Sequence, residues 1–322
     1  MQGIRRRFSG KVDEATADII MKSWRTSTKG QYETYLNRFW TFLVERGESN
    51  SPNLRNGLAF LTKLVNGGSS YSQLAMARSA LSAFIDLDNS SGMTFGQHHL
   101  VKRFMKGAFE FRPSFKKYKS IWNVKQLFDY FRRLGDSSLL SVELLGKKLA
   151  LLLAIISGGQ RTQTIHAIDI LDIKILPDKC IIPIYEKLKH TNPERHLKPL
   201  EFPVYNMEPC LCVVVNLKLY LQKTLPYRKS SKLFLSYQKP YSAISKDTLA
   251  RWCKDVLYRA GIDTNLYSSH SSRAATTSLL AKNGMNMKDI CKNAGWSSER
   301  TFAAHYNKVI ENTDDILNNF LT

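Results

Sequence analysis

The chain has 322 residues, 43% of them hydrophobic, with 47 Lys and Arg against 27 Asp and Glu, a formal net charge of +20. The length is a prior for two domains with real cores, and the charge calls for a polyanionic partner, most often nucleic acid, with a merely solvated basic surface as the alternative. No apolar run reaches the length of a membrane span, and the five cysteines, odd in number and irregular in spacing, argue for a reducing compartment.

Residues 1–11 read as a flexible basic tail. Met1 to Gly10 lacks the apolar core of a secretory signal, and Arg5, Arg6 and Arg7 offer a weak nuclear address or a phosphate contact. Residues 12–112 predict an all-helical domain. Thr28 can cap a helix that turns Tyr32, Tyr35, Leu36, Phe39, Phe42 and Leu43 to one face and ends at Arg46-Gly47. Asn53 starts a second, through Leu58, Leu61 and Leu64, stopped by Gly67-Gly68. Ser70 or Ser72 caps a third, with Leu74, Ala77, Leu81, Phe84 and Ile85 inward. A fourth begins near Gly96 and carries Leu100, Phe104 and Phe111. Aromatics at this spacing are read as core, not as platforms for stacked bases. Basic residues at helix starts suit phosphates, because free N–H groups and the helix dipole point there. That logic nominates Lys29 and Arg78, with ordinary solvated charges as an even alternative. Residues 113–121 form a linker: a helix breaker, Pro113, then the basic cluster Lys116, Lys117 and Lys119.

The second domain spans residues 122–309. Val124 to Leu134 is an amphipathic helix, and Leu139 to Ser157 a long apolar one. Gly158-Gly159 then allows a tight turn that places Arg161 at a helix start. An Arg in so apolar a setting is either paired internally or aimed at a ligand, since an unpaired buried charge is expensive. Three short apolar runs, Ile173 to Leu176, Cys180 to Tyr185 and Leu200 to Val204, predict a small three-stranded antiparallel sheet with a turn at Pro177-Asp178. The fold class is thus mainly α with a small antiparallel β-sheet. The basic segment Glu186-Lys187-Leu188-Lys189-His190 falls in or next to the loop joining the last two strands. Cys210-Leu211-Cys212 sits too tightly for a zinc pair, so no metal is expected. Cys210 to Leu225 reads as helix and Arg228 to Lys232 as a basic loop. Ser245 to Ala260 is a helix with Leu249, Trp252, Val256 and Leu257 inward and Lys246, Arg251 and Lys254 outward, ended by Gly261; its basic face is a second phosphate-contact candidate. A helix from His270 to Asn283 sets His270 and Arg273 about one turn apart, so the pair can address one anion together. Met287 to Ala294 follows, ended by Gly295 before Trp296. Tyr306 lies on a helix from Ser298 to Lys308, and residues 310–322 form an amphipathic C-terminal helix.

The succession Arg161, Lys189 (or Lys187), His270-Ser271-Ser272-Arg273, Trp296, Tyr306 resembles the tyrosine recombinases of the phage-integrase type, which share their chemistry with type IB topoisomerases. The resemblance covers Val12 to the end. It implies a helical core-binding domain and a catalytic domain that close on double-stranded DNA as a clamp, with Lys116, Lys117 and Lys119 of the linker crossing the backbone. It implies that Tyr306 attacks a phosphodiester to give a 3′-phosphotyrosine, which a different 5′-hydroxyl can reverse. Arg161 and Arg273 would match the non-bridging oxygens, with Lys189 as general acid for the leaving 5′-oxygen and His270 as acid/base partner. The Trp296 indole N–H would donate to the phosphate. Lys189 is preferred to Lys187 because it lies nearer the loop. Two features depart from the family pattern: Thr164 stands where a carboxylate is usual, and the ten-residue step from Trp296 to Tyr306 is one longer than in bacterial members. No acidic triad for Mg²⁺ is apparent, so no cofactor is expected. The apolar tail would dock on a neighbouring protomer, giving a dimer on a site and a tetramer in the synapse. Ser-Gly-Gly-Gln-Arg-Thr-Gln-Thr and Gly-Trp-Ser-Ser resemble recombinases of eukaryotic mobile elements of Crypton or DIRS type, which implies integration or excision of such an element in the nucleus. A non-catalytic DNA-binding descendant and a type IB topoisomerase-like enzyme are the alternatives.

Overall fold

The computed structural model describes residues 4–5, 8, 11–48, 52–87, 92–113, 118–189, 191–192, 196–296 and 298–311. The chain divides into two units, Met1–Lys116 and Lys117–Thr322.

In the first unit the described helices are α1 (Glu14–Lys22), α2 (Thr26–Glu45), α3 (Leu54–Asn66), α4 (Tyr71–Phe84) and α5 (His99–Phe111). Three of them start where side-chain oxygens meet orphan amides. Asp13 accepts from the Thr16 N–H, Asn53 from the Asn56 N–H, and Ser70 forms a capping box with Gln73. The expected caps at Asn53 and Ser70 hold. At α2 the cap position is Arg25, with no side-chain bond, so this helix opens two residues ahead of Thr28. α1 carries only Ala17 and Met21 as buried positions, too faint a stripe to stand out in the sequence. Leu36, Phe39, Leu43, Phe60, Leu61, Leu74, Ala77, Leu81 and Ile85 form the core. The expectation for the fourth helix is corrected. A 3-10 turn, Phe95–Gln97, precedes α5, and Val101, Met105 and Ala108 face inward. Leu100 and Phe111 are 47% and 72% exposed. Phe104 of the expected stripe does pack, partly buried, against the core, and Phe95 sits so close over Gly57 that a Cβ there would meet its ring at 2.4 Å.

The second unit opens with β1 (Ser120–Ile121), α6 (Val124–Arg133), α7 (Val142–Ile156) and α8 (Thr162–His166). β2 (Lys174–Ile175), β3 (Lys179–Ile182) and β4 (Leu200–Pro203) form the expected antiparallel sheet in that order, with Lys174 opposite Ile181 and Ile182 opposite Leu200. α9 (Val213–Thr224), α10 (Lys246–Arg259), α11 (Ser271–Lys282), α12 (Met287–Ala294), α13 (Glu299–His305) and β5 (Val309–Ile310) complete it. α7 is the central rod, buried from Leu145 to Ile155. It starts at Val142 under a Ser141 cap, later than Leu139, because Ser137–Leu139 forms a separate 3-10 turn. Its fully buried Lys148 donates to Ser137 Oγ at 2.9 Å and lies over the Phe131 ring; burial pushes its pKa down to about 8. α10 buries Leu249, Trp252, Val256 and Leu257 as expected.

β1 and β5 pair in parallel, Ser120 with Val309 and Ile121 with Ile310. Ser120 and Ile121, expected in the linker, are therefore strand, and so is Ile310, expected in the C-terminal helix. Backbone pairing across the sequence outweighs the local helical pattern there. Residues 312–322, like Lys116 and Lys117, lie outside the described residues. No helix among the described residues is long and apolar enough to cross a membrane.

Candidate active site

The site is assembled from the end of α7, the starts of α8 and α11, and the stretch from Gly295 to Tyr306. After α7 the chain turns through Gly158 and Gly159, at φ 81° and 84°. A Cβ on Gly159 would meet the Arg273 carbonyl oxygen at 3.2 Å and its Cα at 3.3 Å, and one on Gly158 would meet Asn293 Cβ at 2.9 Å. Left-handed backbone and close approach together require glycine. Gln160, buried, locks the turn: its N–H donates to Ala154 O at 2.9 Å and its Nε2 to Asn293 O at 2.5 Å. Arg161 follows as the N-cap residue of α8, half-buried. Thr164 is buried one turn on, its amide donating to Arg161 O at 2.8 Å.

Arg273 stands in the first turn of α11, 1% exposed. Nη1 donates to Gly159 O at 2.8 Å and Nη2 to Ala294 O. The guanidinium carbon lies 4.6 Å from the Trp296 ring centroid and 5.5 Å from that of Tyr306. Burial, then the like charge of Arg161, pushes its pKa down to about 10, with the Tyr306 hydroxyl opposing. It stays a cation at neutral pH, held by carbonyls that offer no counter-charge. A buried charge so placed favours an anion beside it.

His270 is the N-cap residue of α11, and its Nε2 lies 3.3 Å from the Tyr306 hydroxyl. The side chain opens to solvent, yet its neighbours desolvate the ring. That desolvation, then the charges of Arg273, Arg161 and Lys189, lowers its pKa from the ordinary value. Lys189 is exposed and follows the buried Leu188. Leu188 is tied to Thr191 by a pair of bonds, N–H to Oγ1 at 3.0 Å and Thr191 N–H to Leu188 O at 3.1 Å. Lys187, equally exposed, flanks Leu188 on the other side. Glu186 in this loop pairs with Lys232.

Gly295 ends α12 in the left-handed conformation, and the Trp296 N–H returns to Cys291 O at 2.8 Å. The indole is 7% exposed, lies 4.5 Å from Tyr306 between ring centroids, and its Nε1 finds no hydrogen-bond partner among the described residues. Tyr306 is the C-cap residue of α13 and half-buried, not an interior helical residue, because α13 stops at His305. The structure thus brings Arg161, His270, Arg273, Trp296 and Tyr306 together, with the Lys189 charge acting on the same group.

Sequence reasoning missed the supports. Trp122 Nε1 donates to Ser271 Oγ at 2.9 Å, which donates to Ser268 O at 2.6 Å and fixes the turn bearing His270. Ser278, Gln160 and Asn293 act likewise. For Ser271 and Ser278 the signal is the run of small polar residues in α11, which periodicity cannot interpret. Of the other nominated residues, Lys29 lies in the first turn of α2 and Lys246 opens α10. Lys119, Lys246 and Arg251 are exposed, and Arg251 Nη2 donates to Thr248 Oγ1 at 2.9 Å. Arg78 sits in the middle of α4, so the helix-start argument for it fails. Among the described residues no group of three or more His, Cys, Asp or Glu gathers as for a metal.

Residues 123–312 match the Phage integrase family. No curated protein matches the sequence. Among solved structures, a lambda integrase dimer bound to a COC′ core site is similar over 96% of this chain and 95% of its own, with TM-score 0.53 and 15% identity. The XerH site-specific recombinase bound to a palindromic difH substrate, in a post-cleavage complex, is similar over 84% of this chain and 74% of its own, with TM-score 0.57 and 16% identity. The Tn1549 transposon integrase in complex with transposon right end DNA covers 99% and 97%, with TM-score 0.53 and 14% identity.

Proposed function

The chain belongs to the phage integrase family, and from that membership we propose that it is a site-specific recombinase that cuts and rejoins double-stranded DNA through a 3′-phosphotyrosine. The observation that carries the reading is Arg273: a buried cation held by two backbone carbonyls and packed against the Tyr306 ring, whose hydroxyl lies 3.3 Å from His270. In the proposed step the Tyr306 oxygen bonds to phosphorus as the bond to the 5′-oxygen breaks. The phenol proton passes to His270 Nε2, and the departing 5′-oxygen takes one from Lys189. Arg161 and Arg273 neutralise the non-bridging oxygens, and Trp296 Nε1 adds a donor, so catalysis rests on positioning and charge. The phosphotyrosine keeps the bond energy, and attack by another 5′-hydroxyl reverses each transfer.

The charge of +20 supports a DNA partner. Lys29, Lys119, Lys246 and Arg251 are the described candidates for phosphate contacts. A dimer on each site and a tetramer at synapsis are proposed by likeness to the lambda integrase dimer and to a lambda integrase tetramer bound to a Holliday junction, TM-score 0.50. Mobile-element integration or excision, in a nucleus, is proposed on the motif phrasing alone.

Covalent trapping tests the chemistry. The protein and Tyr306→Phe are incubated with nicked duplex carrying the element's ends, in EDTA, and resolved in SDS. An adduct with the wild type alone is expected. DNA bound without adduct would leave a binding protein descended from a recombinase, and a metal-dependent nick without adduct would overturn the mechanism.

A further inference from the structure

We propose that Ser278 is a positioning residue that registers the Tyr306 nucleophile on the helix carrying its phosphate partners; the inference rests on the recombinase reading above. α13 has seven residues and no side-chain cap bond at its start, too short to hold itself. Tyr306 is its last half-helical position, φ −120° and ψ −18°. The carbonyl of such a residue is one of the acceptors a helix end leaves unsatisfied. Ser278 Oγ donates to that carbonyl at 2.7 Å and accepts the Lys308 N–H at 3.1 Å. One hydroxyl thus brackets the nucleophile's backbone on its C-terminal side.

The direction of this hydroxyl is unusual for the protein. A helical serine or threonine commonly returns its hydroxyl to its own helix, four residues back. Ser157 does so to Leu153 O at 2.6 Å, Thr224 to Tyr220 O at 2.8 Å, and Thr277, next to Ser278, to Arg273 O at 2.8 Å. Ser278, 4% exposed, turns outward to a segment 28 residues away. The helix that anchors it is the one whose first turn bears Arg273 and whose cap is His270. Nucleophile, acid/base partner and phosphate ligand are therefore referred to one rigid rod.

The test compares single-turnover cleavage, DNA affinity and adduct formation for wild type, Ser278→Ala, Ser278→Cys, Ser278→Thr and Tyr306→Phe. Cysteine keeps the branching of serine with a larger atom and a weaker donor and leaves no cavity, so it decides the matter should Ser278→Ala not fold. Ser278→Ala and Ser278→Cys are expected to cleave roughly 10- to 100-fold more slowly, the loss a displacement of about 1 Å produces. Their DNA affinity stays within about twofold of wild type, and Ser278→Thr, with its hydroxyl, restores most of the rate. Wild-type cleavage by Ser278→Cys, or slowing matched by an equal loss of DNA affinity, would overturn the inference while wild type still forms an adduct that Tyr306→Phe does not. Absence of any wild-type adduct would instead remove the recombinase reading, and this inference with it.

Discussion

Arg273 and Lys189 carry the same charge in opposite settings. Arg273 is dry, fixed by two carbonyls and sandwiched against two rings. Lys189 hangs exposed from the loop between β3 and β4, steadied through Leu188 and Thr191 rather than through its own side chain. The contrast suits the two roles proposed for them: a cation that holds charge in place must be set before the substrate arrives, whereas one that delivers a proton must reach and withdraw. The first duty binds the residue's chemistry to the fold, and the second separates them.

The sharpest way to break this contrast is Arg273→Lys. An ammonium cannot span both carbonyls as the planar fork does. Cleavage should fall by about 10²- to 10³-fold, as for the loss of one preorganised donor. The protein should also be destabilised by about 1–3 kcal/mol through the carbonyl left unpaired, read by denaturant unfolding. Unchanged stability would show that the carbonyl contacts do not hold the fold. Lys189→Ala comes next: cleavage of ordinary DNA should fall by about 10²-fold with no change in stability. A substrate with sulfur in place of the bridging 5′-oxygen, a leaving group that needs no proton, should restore it. Lys187→Ala should stay within about twofold of wild type; the reverse ranking would reassign the acid.

The smallest effect is a displacement in pH. Desolvation, then Arg273, Arg161 and Lys189, lowers the His270 pKa, so the neutral ring, the form able to accept the phenol proton, persists as pH falls through the ordinary histidine value. The kcat/KM profile, which reports the free enzyme, should hold level there and decline only at lower pH. Lys189→Ala removes one cation, so its acid limb should move upward. An acid limb above the ordinary value, or one that Lys189→Ala leaves in place, would contradict this electrostatic account.

The six proposed catalytic positions follow from resemblance to the family's order of residues, and the structure gathers five of them, Arg161, His270, Arg273, Trp296 and Tyr306, with Lys189 felt at His270 through its charge. The three-stranded sheet was equally plain, since its alternating runs are separated by a turn signal at Pro177-Asp178. What escaped is what depends on partners distant in sequence. Phe95 packed over Gly57 is one such contact, and no count along Leu100, Phe104 and Phe111 contains it. Tyr306 ends its helix because the following residues leave it for Ser278 and β1. Arg78 illustrates the opposite failure, a plausible local rule applied to a residue that the boundaries of α4 place mid-helix.

The pairing of β1 with β5 also bears on biosynthesis. Ser120 and Glu311, joined through their side chains, are 191 residues apart, so β1 leaves the ribosome long before the strand that covers it. Until Val309 and Ile310 emerge, β1 is an open edge, the kind of surface that invites pairing with another chain. Within that interval Arg161, His270 and Arg273 are made in turn, and Tyr306 only at its end, three residues ahead of Val309. The nascent chain thus acquires its proposed grip on phosphate before its proposed nucleophile, and the strand that closes the exposed edge emerges just behind that tyrosine.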